Sequence, residues 1–247
     1  MKESTSYRQL DVNKTIETLN QLELRIVERF ESSSLAGVAV ELGEVARDSR
    51  SKIAWIDRPH KGLRLAIVSV IVLSLCMAVY IVKEFIGIRN ADLELADIEW
   101  VTNEVLLIGA ALLFLFSLEV RIKRTRALQV LHDLRAIAHV IDMHQLTKDP
   151  SQILNESATS TKSSPKRVLT PYQLTRYLDY CSEMLSLLGK LAALYAQSLP
   201  DPVVVGAVND IETLANGLSR KIWQKIVMLD DIARLTAISK TTDTENA

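Results

Sequence analysis

Two stretches of this chain carry no charge where a soluble helix would carry several, and they constrain its fold more than any other feature. From Leu65 to Val82 (LAIVSVIVLSLCMAVYIV), 18 residues pass without an acid or a base. That is the length at which an apolar helix begins to span a bilayer, since roughly 27 Å of helix meets a hydrocarbon core of about 30 Å. Arg64 and Lys83 bracket the run, and their aliphatic stems can carry the charge to a polar surface. The second run, Val105 to Leu118, is uncharged for 14 residues, or roughly 21 Å. Extended to 101–120 it reaches spanning length, with Glu104 and Glu119 near its ends. Trp100 then falls at an interface, where Trp is enriched. The first run is the clearer of the two.

The flanks orient the pair. Lys52, Arg58, Lys61 and Arg64 precede the first run, and Arg121, Lys123, Arg124 and Arg126 follow the second, with no acid until Asp133. Between the runs Lys83 and Arg89 face Glu84, Asp92, Glu94, Asp97, Glu99 and Glu104. Cationic flanks stay on the cytoplasmic side, so both termini are expected inside and a short acidic connection outside. The expected fold class is an all-α membrane protein, a two-helix transmembrane hairpin with a cytoplasmic helical bundle. The short connection, and residues 1–30 without a secretory leader, suggest a bacterial inner membrane. The alternative is a soluble bundle with two unusually apolar central helices.

Outside the hairpin the chain reads as amphipathic helix. Low Gly and Pro counts, 8 and 6, argue against a turn-rich β fold, and a net charge of −1 gives no pull toward nucleic acid. Residues 1–62 hold two cytoplasmic helices: Val12, Ile16, Leu19, Leu22, Ile26 and Phe30 recur in steps of three and four, Glu31–Ser34 interrupts, and a second helix runs from Leu35 to about Ile56. Residues 63–122 form the hairpin, with spans at about 65–85 and 101–120. Residues 123–147 extend the second span, with Ala127, Val130, Leu131, Leu134, Ile137, Ala138 and Ile141 as its apolar stripe. Residues 148–170, rich in Ser, Thr and Pro, read as a linker. Residues 171–238 read as a helical hairpin whose starts are punctuated twice: Thr170-Pro171 with Gln173 makes a capping box, and Asp201-Pro202 repeats the device. Three cytoplasmic helices then form a bundle or coiled-coil-like assembly, joined by the N-terminal pair. Residues 239–247 read as a disordered tail. Cys76 and Cys181 fall on apolar surfaces too far apart in topology to bridge, which fits a reducing compartment.

Several constellations could carry chemistry. His132, Arg135, His139 and Asp142 lie on one helical stripe. His132, His139 and Asp142 could hold a divalent metal, the one cofactor the chain suggests. Arg176, Asp179 and Glu183, with Tyr177 and Tyr180, share the capped helix and could serve a ligand or a partner. Arg220, Lys221, Trp223 and Lys225 could hold a phosphate or a lipid headgroup surface. Ser74, Ala78 and Gly109 offer small faces for close helix contact, and Glu104 and Glu119 could line an oligomeric pore mouth or mark the interface. Each cluster also has a plain reading as a solvated helix face. No phosphate loop, nucleophile elbow or zincin motif is present.

The sequence therefore suggests a membrane-anchored helical scaffold, regulator or signal-coupling subunit. It would act through cytoplasmic helix contacts, with the bilayer, a helical protein partner or further copies of itself as partners. A homo-oligomeric two-span pore and a membrane-bound metal-dependent enzyme are the alternatives.

Overall fold

A computed structural model describes residues 8–58, 61–87, 95–148, 150 and 169–245. Six helices account for nearly all of them: α1 (Val12–Arg29), α2 (Ser34–Asp57), α3 (Lys61–Gly87), α4 (Leu95–Leu146), α5 (Pro171–Ser198) and α6 (Pro202–Glu245). There is no strand among the described residues. The chain divides into two units, Met1–Trp55 with Ala127–Ala247, and Ile56–Arg126. The 52-residue helix α4 belongs in part to each.

The first unit is built around α5. A capping box starts it: Thr170 Oγ1 accepts from Gln173 N at 3.2 Å, and Gln173 Oε1 accepts from Thr170 N at 2.9 Å. Pro171 occupies the first turn, where its missing N–H costs nothing. The expected stripe of Leu174, Tyr177, Leu178, Cys181, Leu185, Leu188, Ala192 and Tyr195 is buried throughout. Tyr180, Met184, Leu187, Leu191 and Leu194 are buried too. The polar positions of α5, Asp179, Glu183, Ser186 and Lys190, form one narrow strip, and the wide apolar remainder packs on several neighbours, α6 foremost.

Its neighbours present one face each. α1 buries Ile16, Leu19, Leu22 and Ile26, and its C-cap Phe30 meets the Tyr177 and Tyr180 rings edge-on at 5.6 and 6.2 Å. Such edge-to-face pairs add about 0.5–1.5 kcal/mol each beyond area burial. α2 contributes Leu35, Ala39, Leu42, Ala46 and Ile53. α4 contributes the whole stripe from Ala127 to Ile141 expected for it. α6 contributes Val204, Val208, Ile211, Leu218, Ile222 and Leu229, and Asp201 Oδ1 caps its start by accepting from Val203 N and Val204 N. Helix α6 continues to Glu245, through the stretch expected to be a tail. No Gly or Pro follows Gly217 to end it.

Polar contacts fix the pairings. Tyr195 donates to Ser49 Oγ at 2.8 Å in the interior, and Ser49 Oγ in turn donates to Val45 O at 2.7 Å. Gln197 holds the start of α1 through both backbone groups of Leu10, at 3.0 and 3.1 Å. Arg47 joins α2 to α1 through Glu23 and Asn20, at 2.9 and 3.0 Å.

The second unit has the opposite character. One helix among the described residues is long and apolar enough to cross a membrane, over Val105–Leu146, and its apolar window is not buried. Leu65–Tyr80 is the described apolar part of the 27-residue helix α3. Leu73, Leu107 and Leu113 are 73%, 69% and 73% exposed. Residues 95–100, expected in the external connection, are the first turns of α4. Residues 88–94 and 151–168, the rest of that connection and most of the linker, lie outside the described residues.

The interior predicts an alkaline dependence. Burial pushes the Cys181 thiol from 9.0 up to about 12, and burial pushes the Tyr195 phenol from 10.0 up to about 12 although its bond to Ser49 opposes the shift. A proton held more tightly in the folded than in the unfolded chain stabilises the fold below the unfolded pKa, and that contribution drains away as pH rises toward the folded one. Stability is therefore expected to fall once pH exceeds 9.0, where the unfolded thiol ionises, and to keep falling toward about 12. In Cys181→Ala that slope should be shallower by about 1.4 kcal/mol per pH unit. Urea denaturation of both proteins at stepped pH reads it, and parallel pH curves would contradict it.

Candidate functional site

The residues with the most chemistry gather where α1 passes the N-terminal half of α5. Arg25 and Arg29 stand four apart on α1, one turn along the edge of its buried Leu22–Ile26 stripe, and so project to the same side. Arg176 and Tyr180 stand four apart on α5. Together with Glu28 these side chains line a cleft of about 400 Å³.

Tyr180 forms its base. The ring is buried, with Arg176 Cζ 5.1 Å and Arg25 Cζ 6.0 Å from its centroid, inside the range for attraction between a cation and an aromatic face. Arg29 Cζ lies 5.9 Å from the Tyr172 ring, and its Nη1 donates to the Tyr172 hydroxyl at 3.2 Å. Two of the three guanidinium groups hold carboxylates. Arg25 Nη2 reaches Glu183 Oε2 at 2.7 Å, and Arg176 Nη1 reaches Asp179 Oδ2 at 3.0 Å.

The charges are not at ease. The Asp179 carboxyl lies above its ordinary value: loss of solvent dominates, the neighbouring Glu183 charge adds to it, and Arg176 offsets it only in part. Arg176 is raised, chiefly through Tyr180, while the positive charge of Arg29 works against it. Arg29 is raised mainly by its bond to Tyr172. The cleft thus holds like charges close together on an aromatic floor.

The sequence picks out Arg176, Asp179 and Glu183, and the structure brings them together. Arg25, Arg29 and Glu28 are missed. The available signal was the Arg25/Arg29 spacing beside the stripe, but nothing in one sequence says which helix edge faces which.

The other clusters do not converge in the same way. His132 and His139 are exposed, Arg135 pairs with Asp210 at 3.2 Å, and Asp142 accepts from Gln145 Nε2 at 2.6 Å. Among the described residues no three His, Cys, Asp or Glu side chains are grouped as a metal ion would require. Lys225 leaves its basic neighbours and donates to Gln145 O at 2.7 Å, at the C-terminal end of α4, a position where a cation complements the helix dipole. Arg220 and Lys221 are exposed, and Trp223 lines a groove of about 420 Å³ with Tyr172 and Val227. Ser74 donates back to Val70 O at 2.7 Å, Ala78 is exposed, and a methyl group at Gly109 would meet nothing within 4 Å. Glu119 pairs with Lys123 at 3.0 Å. The Glu104 side chain lies outside the described residues.

Comparison with protein-family models, curated proteins and solved structures finds no match for this chain.

The cleft's ion pairs should add little to folding. Arg25 and Glu183 are 46% and 38% exposed, and pairs so open to water are worth about 0.2–1 kcal/mol. Glu183→Gln is expected to lower unfolding stability by less than about 1 kcal/mol, whereas Tyr180→Ala, which empties a buried site, should cost about 3–5 kcal/mol. Denaturant titration of the two variants compares them. Equal losses would mean that the charges and not the floor hold the cleft together.

Proposed function

We propose that the chain is a membrane-anchored helical scaffold or signal-coupling protein. In this reading α3 and the apolar part of α4 are the two spans of a hairpin, both termini are cytoplasmic, and the five-helix unit engages a helical protein partner. The observation that carries it is the outward-facing apolar surface of the second unit, where Leu73, Leu107 and Leu113 are exposed. An apolar surface of that extent marks a lipid or protein contact. At about 25 cal/mol per Å² the cost of leaving it in water is large. The basic residues Arg121, Lys123, Arg124 and Arg126 after the second run agree with a cytoplasmic continuation. The first unit fits an adaptor, because side chains such as Arg47, Gln197 and Tyr195 tie its helices to one another.

The membrane part is tested by charge. Arg at the centre of a span costs about 2.5–3.5 kcal/mol on insertion scales. The wild-type chain is expected to stay in the membrane pellet after alkaline carbonate extraction. Leu107→Arg combined with Leu113→Arg should move it to the supernatant or destroy it in the cell. Wild-type protein that stays in solution without detergent would overturn the anchor. The partner is tested by affinity purification of the full chain from detergent-solubilised native membranes, with a stoichiometric helical protein as the expected result. Self-assembly accompanied by ion flux in liposomes would instead favour a pore.

A further inference from the structure

We propose that the cleft formed by Arg25, Arg29, Arg176 and Tyr180 binds a phosphomonoester. Three guanidinium groups from two helices line one cleft: Arg176 and Arg25 lie over the buried Tyr180 ring, with Cζ atoms 5.1 and 6.0 Å from it, and Arg29 lies 5.9 Å from the Tyr172 ring. The repulsion of Arg176 by Arg29 acts within the cleft but is outweighed by Tyr180, so both guanidinium groups are held charged there. Folding alone gives no reason to assemble them, because the exposed pairs they make are worth little. A bound dianion supplies the reason.

The groups also suit the ligand. Arg presents a rigid planar fork that matches phosphate oxygens two at a time, which a lysine cannot do. Arg29 has only the Tyr172 and Tyr180 hydroxyls as polar partners among the described residues, so its charge is not neutralised by an acid. Arg176 is held by Asp179, whose partly desolvated carboxylate is a poor counter-ion. An entering phosphate replaces Asp179 on Arg176 and joins Arg29 across the cleft. Glu28 lines the site and Glu183 holds Arg25, so both compete with an entering anion. The volume of about 400 Å³ is in the range of small-ligand sites and exceeds a bare phosphate, so an organic group is expected to follow the phosphate inside.

The phosphate could belong to a soluble metabolite or to a lipid headgroup, and the experiment separates them. Full-length protein in uncharged detergent micelles is titrated calorimetrically with inorganic pyrophosphate. In a second arm, binding is read in mixed micelles with and without phosphatidic acid. Saturable binding of either probe is expected, the first indicating a soluble ester and the second a headgroup. Arg29→Gln combined with Arg176→Gln should raise Kd at least tenfold. Arg29→Lys should weaken binding less, since charge remains while the fork is lost. Asp179→Asn should lower Kd by freeing Arg176, and this gain would stand even if the double variant failed to fold. Arg135→Gln, an arginine outside the cleft, should leave Kd unchanged. No saturable binding of either probe would overturn the proposal. So would a Kd that Arg29→Lys and Asp179→Asn leave at the wild-type value.

Discussion

The wide apolar face of α5 is the constraint on which the first unit depends. Between Leu174 and Tyr195 it leaves only a narrow strip through Asp179, Glu183, Ser186 and Lys190 toward solvent. A helix of that kind cannot be stable in isolation, because its apolar surface is only useful once α1, α2, α4 and α6 cover it. The covering helices are each amphipathic and need something to cover. Their mutual dependence explains why two segments separated by the apolar region 56–126 return to a single unit. It also explains the buried Tyr195–Ser49 bond: once a tyrosine is enclosed, its hydroxyl must find a partner or cost the full desolvation penalty.

The second unit inverts this logic. Its leucines and phenylalanines face outward, and full burial of each such side chain is worth about 1.5–3 kcal/mol. In the first unit that free energy comes from neighbouring helices. In the second it has to come from a surrounding medium or another chain. The same chain therefore solves the problem of apolar surface in two ways, and the change falls at the basic residues 121–126, just before the first buried residue of α4, Ala127.

Much of this was legible in the sequence, and what was not has a physical cause. Helix starts were readable because their signals are local: Thr170 with Gln173 and Asp201 with Pro202 bond to atoms two or three residues away. Stripes such as Ala127–Ile141 were readable because burial repeats with the turn of the helix. The central place of α5 was harder to see, since a single stripe of Leu174, Leu178, Cys181 and Leu185 already accounts for one contact, and Met184, Leu187, Leu191 and Leu194 were not counted as a second. The cleft was half visible. Arg176, Asp179 and Glu183 lie within eight residues of each other, but Arg25 reaches Glu183 across 158 positions, and no local pattern encodes such a pairing.

The cleft shows how a folded surface can hold charge that the fold does not need. Tyr180 and Phe30 are fixed by packing, so the aromatic floor exists whatever the arginines do. Each guanidinium gains a little from the ring and a little from a nearby acid, and neither term is large in partial solvent. Against these small gains stands the mutual repulsion of Arg29 and Arg176 and the desolvation of Asp179. If the cleft had only to join α1 to α5, one arginine and one glutamate would do so at lower cost. In the proposed role the gathering is preorganisation: the guanidinium donors already share one cleft, so an arriving dianion spends little of its binding energy on assembling them.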